Sequence, residues 1–145
     1  MLRPEPMPRG HPERLPDLFL DRSLGGKQVP ARLREEGLRL QTLAEVYGRP
    51  QDEEVLDVEW LELAGRNGWV VLMKDDRIRY RRTEREALVT HNVRAFCLSG
   101  GNLRAADMAD QFLNVLDRMA AACAEPPPCL YVVSASGMRK VQLEA

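Results

Sequence analysis

The 145 residues suffice for one domain with a proper core and leave little room for a second. A hydrophobic fraction of 44% beside 30% charged residues is that of a soluble globular chain, and no apolar run approaches the roughly 20 residues that span a bilayer, which argues against a membrane role. A net charge of −1 and a pI near 6.2 exclude the global basic field that drives non-specific nucleic-acid binding, so any RNA contact must be local.

Residues 1–16 are rich in Pro and Arg and lack a continuous apolar stretch, so they read as a disordered arm rather than a secretory signal. Leu18-Phe19-Leu20 predicts a short strand ending in Asp21, followed by a turn through Ser23 and Gly25-Gly26. From Lys27 to Glu36 the apolar Val29, Ala31 and Leu33 sit among charges. Pro30 is acceptable only in a first helical turn and Gly37 suits the C-terminal cap, which predicts a short helix. Leu38 to Val46 alternates loosely as a second strand and breaks at Tyr47-Gly48-Arg49-Pro50. Asp57 to Asn67 places Trp60, Leu61, Leu63 and Ala64 at spacings compatible with one helical face, with Asp57 a suitable N-cap and Gly68 a stop. Trp69-Val70-Val71-Leu72-Met73 is a continuous apolar run of the kind buried on both faces of a parallel sheet, and Asp75-Asp76 follow it.

Thr83 with Glu86 forms a capping-box signature that opens a helix reaching about Val89, closed by His91-Asn92. Val93 to Leu98 is a fourth strand and Ser99-Gly100-Gly101-Asn102 a turn. Ala105 to Ala124 is the longest predicted helix, with Met108, Phe112, Val115, Leu116 and Met119 at helical spacing. Pro126 to Pro128 end it. Leu130 to Val133 makes a fifth strand, followed by a Ser/Gly turn and a short polar tail. This alternation predicts an open, largely parallel sheet covered by helices on both faces, in which ligands bind beyond the carboxyl ends of the strands.

Two carboxylates, Asp21 and Asp75, follow apolar strands at those ends, and Asp57 opens the helix that leads into the third strand. Clustered carboxylates raise one another's pKa values and persist most easily around a cation; Mg²⁺ or Mn²⁺, which take oxygen ligands, are the natural guests. Lys74, Arg77, Arg79, Arg81, Arg82 and Arg85 crowd one stretch beside them and could hold phosphates, although a solvated loop and helix face explains the same charges. Singly, an Asp after a strand is also a turn former and Asp57 also a helix cap. The Ser23 hydroxyl could orient a metal-bound water, but a local turn or cap bond explains it more simply. His11 and His91 lack partners for a triad or zinc site. Gly25-Gly26 and Gly100-Gly101 lack the spacing of a phosphate loop. Three cysteines, Cys97, Cys123 and Cys129, have no metal-ligand spacing and fit a reducing cytosol.

Phe19-Leu20-Asp21-Arg22-Ser23-Leu24-Gly25, then Asp57-Val58-Glu59-Trp60-Leu61, then Gly68 to Asp75 through Lys74, resemble the PIN-like domains related to VapC-type toxin ribonucleases. The likeness runs from about Leu18 to Leu98. It implies one PIN-like domain over residues 17–145, a three-layer α/β/α sandwich with a mainly parallel sheet. It also implies a Mg²⁺- or Mn²⁺-dependent endoribonuclease with an RNA substrate in the cytoplasm, and a toxin role with an antitoxin partner and pairing with a second copy. By position, Asp21, Asp57 and Asp75 would be the catalytic metal-site carboxylates, with Glu59 and Asp76 as weaker candidates and Lys74, Arg77, Arg79, Arg81 and Arg82 on RNA. Met73 stands where related sequences usually have Thr, and Arg77 where they often have a further acid. That departure keeps a second reading in view, a PIN-like module that binds RNA or protein without cutting. A receiver-like phosphoacceptor domain is a third; it expects an acidic pair after the first strand and a Lys after the fifth, where this chain has Asp21 alone and Ser134-Ala135-Ser136.

Overall fold

Three apolar runs, Leu18–Leu20 (β1), Val70–Met73 (β3) and Arg94–Leu98 (β4), supply the centre of the sheet, and nearly every side chain in them is buried. In this computed structural model, which describes residues 8–74, 82–100 and 103–143, they join Leu40–Thr42 (β2), Cys129–Ser134 (β5) and Gly137–Val141 (β6) in the order β2-β1-β3-β4-β5-β6. All pairings are parallel except β5 with β6.

Alternation along each strand sends side chains to opposite faces and makes two cores. Leu18, Leu20, Val70, Leu72, Phe96 and Leu98 pack under Gln28–Glu35 (α1), Ala105–Asn114 (α5) and Leu116–Ala122 (α6). Phe19, Val71, Met73, Ala95 and Cys97 pack under Leu43–Tyr47 (α2), Asp57–Asn67 (α3) and Arg82–Thr90 (α4). The result is the expected three-layer α/β/α sandwich. Among the described residues no helix is long and apolar enough to cross a membrane.

Several elements differ from the sequence reading. The segment 38–46 is only briefly a strand, because Thr42 caps α2: its Oγ1 accepts from the Glu45 N–H at 3.2 Å while Glu45 Oε1 accepts from the Thr42 N–H at 2.9 Å. α4 begins at Arg82, so Thr83 is no cap, and Glu86 pairs with Arg82 instead at 2.9 Å. The long helix breaks at Val115, where a β-branched residue follows Asn114, two weak helix formers. Arg9 inserts there, donating to the Leu113 carbonyl at 2.8 Å. The polar tail is in fact β6, returning through a tight turn with Ser134 opposite Gly137.

The described part of the expected arm is folded onto the domain. Leu15 is buried in the core, the Gly10 N–H donates to the Glu36 carbonyl at 2.8 Å, and His11 Nδ1 accepts from the Arg39 N–H at 3.0 Å. A composition poor in apolar residues concealed a segment anchored by one leucine and backbone bonds.

Candidate active site

The chain leaves β1 toward β2 on one side and returns as β3 on the other, which opens a crevice at the carboxyl ends of β1 and β3. Leu20 pairs with Leu72, and the Asp21 N–H continues the ladder to the Leu72 carbonyl at 3.1 Å. Asp21 therefore stands at the mouth of that crevice.

Asp21 divides its two oxygens. Oδ2 accepts from the Ser23 hydroxyl at 2.8 Å and the Ser23 N–H at 3.4 Å, capping a 3-10 turn over Arg22–Leu24. Oδ1 is buried and has no hydrogen-bond donor among the described residues. Turn former and candidate ligand are thus compatible roles for one side chain. Burial holds the Asp21 carboxyl above its usual range; the bonds from Ser23 oppose this, and the charge of Asp57 adds to it. Ser23 has a second bond, its Oγ accepting from the Lys74 N–H at 2.9 Å, which ties the Asp21 turn to the end of β3.

Asp57 does not cap α3 as the sequence suggested. Leu56 takes that position and Asp57 is the first helical residue, where the positive end of the helix favours a carboxylate. The indole Nε1 of Trp60, one turn on, donates to Asp57 Oδ1 at 3.1 Å. Trp60 is itself buried and stacks on Phe19 of β1 with ring centroids 5.5 Å apart. The loop that delivers Asp57 is held by Arg22, whose guanidinium donates to the carbonyls of Asp52 at 2.9 Å, Glu53 at 3.3 Å and Val55 at 2.7 Å. Sequence reasoning passed over both supports. Trp60 looked like core at helical spacing, and no local pattern announces that Arg22 reaches residues some thirty positions away.

The other candidates divide. Glu59 is exposed on α3; burial first, and then the charge of Glu59, push the Tyr47 hydroxyl up, and Glu59 is not among the charges acting on Asp21. Lys74 closes β3, half-buried, and Arg82 is exposed at the start of α4. Arg85 donates to the Gln142 carbonyl. Asp75, Asp76, Arg77, Arg79 and Arg81 lie outside the described residues. Among those described, no set of three or more His, Cys, Asp and Glu side chains is gathered as a metal site, so Asp21 and Asp57 are the part of the expected trio that is placed. His11 is spent on backbone, its Nε2 lying 2.7 Å from the Leu15 carbonyl oxygen. The donor chemistry fits a hard cation: a buried carboxylate oxygen without a donor beside a second carboxylate.

A mainly parallel sheet between two helical layers is what the PIN-like resemblance anticipated, and the chain belongs to the PIN-like domain family, whose pattern matches residues 16–100. It is similar to the protein of Mycobacterium tuberculosis (strain ATCC 25618 / H37Rv) named "Putative ribonuclease VapC45", with 35% identity over 127 residues, covering 88% of this chain and 92% of that relative. No solved structure gives a significant match.

Proposed function

We propose that the chain is a Mg²⁺- or Mn²⁺-dependent endoribonuclease of the VapC type, with Asp21, Asp57 and Asp75 as its metal-site carboxylates. The observation that carries this reading is Asp21 Oδ1, buried with no donor among the described residues and within the charge of Asp57. The similarity to a protein named as a ribonuclease supports it. When bound, such a cation would activate water and offset charge on the phosphate. The chain's own residues orient and hold. Ser23 fixes the Asp21 carboxylate so that Oδ1 alone is available, Trp60 fixes Asp57, and Arg22 keeps the Asp57 loop against the Asp21 turn. Lys74 and Arg82, with Arg77, Arg79 and Arg81, are proposed to bind RNA phosphates. A toxin role with an antitoxin partner, a cytoplasmic setting and self-pairing belong to the same reading.

The test is cleavage of a mixed RNA pool with Mn²⁺ and with chelator. Metal-dependent cutting is expected from the intact protein and its loss from Asp21→Asn and Asp57→Asn, both still folded. Cutting at native rates by both variants would reject the assigned site, and no cutting under any metal would reject the nuclease.

A further inference from the structure

A cleft of about 630 Å³ opens against the Asp21 turn, and its described lining has a consistent charge. Arg22, Lys27 and Arg49 contribute to it and, among the described residues, no Asp or Glu does. Arg22 is committed to the loop carbonyls. Lys27 and Arg49 are exposed, and neither side chain has a hydrogen bond or ion pair among the described residues. This is unlike the nearby arginines 32, 34 and 39, each of which is paired with a carboxylate.

Two backbone features suit the cleft to an anion. Lys27 is the N-cap of α1, which has no side-chain cap and no acid in its first turn, so the positive end of that helix adds to the two cations. Gly26 lets the Arg49 guanidinium lie across the loop, since a Cβ there would come within 2.6 Å of Arg49 Nη2. Ala105 and Met108 give the opposite wall an apolar character, suited to the face of a sugar or base. The cleft is continuous with the candidate site through Arg22 and Ser23, which neighbour Asp21 and line the cleft themselves.

We propose that this cleft is the track for the RNA strand flanking the scissile bond, with Lys27 and Arg49 binding its backbone phosphates. The inference rests on the nuclease reading for the identity of the polyanion. It differs from the basic stretch between Lys74 and Arg82, because Lys27 and Arg49 lie apart from that stretch in the chain, where the spacing of charges in the sequence gives no hint of a phosphate-binding surface.

The experiment measures binding of a labelled single-stranded RNA in chelator by fluorescence anisotropy across a salt series. The intact chain is compared with Lys27→Ala/Arg49→Ala and with a control of equal charge change on β6, Arg139→Ala/Lys140→Ala. Losing two phosphate contacts should weaken binding on the order of ten- to thirtyfold at 0.1 M salt and make the log–log salt slope shallower by about 1.4, with the control near the intact chain. Gly26→Ala, which displaces the Arg49 guanidinium without removing its charge, should lose a smaller share of the affinity and serves if the double variant fails to fold. Binding by Lys27→Ala/Arg49→Ala or Gly26→Ala equal to that of the control overturns the cleft even if Mn²⁺-dependent cutting persists. Weakened binding in a protein that never cuts RNA keeps the cleft and overturns the nuclease. No RNA binding by the intact chain overturns the cleft.

Discussion

Replacing Asp21 by Asn should stabilise the metal-free protein. The wild-type carboxylate is buried, its Oδ1 has no donor among the described residues, and Asp57 adds repulsion, so ionising it at neutral pH opposes folding. Asn keeps an oxygen to accept from Ser23 and removes the charge. The Asn amide N–H₂ takes the place of Oδ1 as a buried polar group of its own, so the variant gains only the excess cost of burying a charged group over a neutral one. That excess is on the order of 1 kcal/mol, or roughly 3 °C in Tm for a chain of this size. The pH dependence has a definite sign. Because the native pKa is raised, the native state binds more protons than the unfolded chain between the unfolded Asp value, about 3.9, and its own higher pKa. Wild-type stability should therefore be highest relative to Asn below that window and fall as pH rises through it. Thermal unfolding in chelator from pH 3.5 to 8 reads both effects. An Asn variant with a Tm equal to or below wild type at pH 7.5 would refute the reasoning.

Trp60→Phe keeps an aromatic ring under Phe19 and removes the donor to Asp57 Oδ1, so the Mn²⁺ concentration needed for half-maximal RNA cleavage should rise about tenfold or more; an unchanged requirement would deny Trp60 its orienting role. Gly65→Ala should destabilise the protein despite alanine's better helix propensity, because its Cβ would stand 2.1 Å from the His91 carbonyl oxygen, where α3 meets the end of α4. The overpacking cost of about 1–3 kcal/mol should exceed the gain of about 1 kcal/mol in propensity, and a urea midpoint at or above wild type would contradict this close approach.

How much was legible in advance follows from where the deciding forces act. β1, β3, β4 and β5 were readable because strands buried on both faces must be continuously apolar, and Leu18–Leu20 and Val70–Met73 are. β6 was not, because an exposed edge strand such as Gly-Met-Arg-Lys-Val tolerates charge. α2 could have been found: Thr42 and Glu45 have capping-box spacing, yet the apolar alternation before them was given more weight. Thr83 and Glu86 show the same spacing without the cap, since propensity does not fix where a helix starts. At the site, Asp21 and Asp57 were legible as acids at the ends of predicted elements. Their setting was not. The bond from Trp60 needs α3 to lie on β1, and the reach of Arg22 needs a loop folded back across the sheet edge, neither of which a local pattern records.

The carboxylates proposed to bind a divalent cation are Asp21 and Asp57, with Asp75. Titrating Mn²⁺ into the intact chain and into Asp21→Asn, with free Mn²⁺ followed by electron paramagnetic resonance, tests this binding without depending on any choice of RNA. Saturable Mn²⁺ binding by the intact chain that is lost or weakened by an order of magnitude in Asp21→Asn is the predicted result. Equal binding by the two proteins, or none by either, would contradict it.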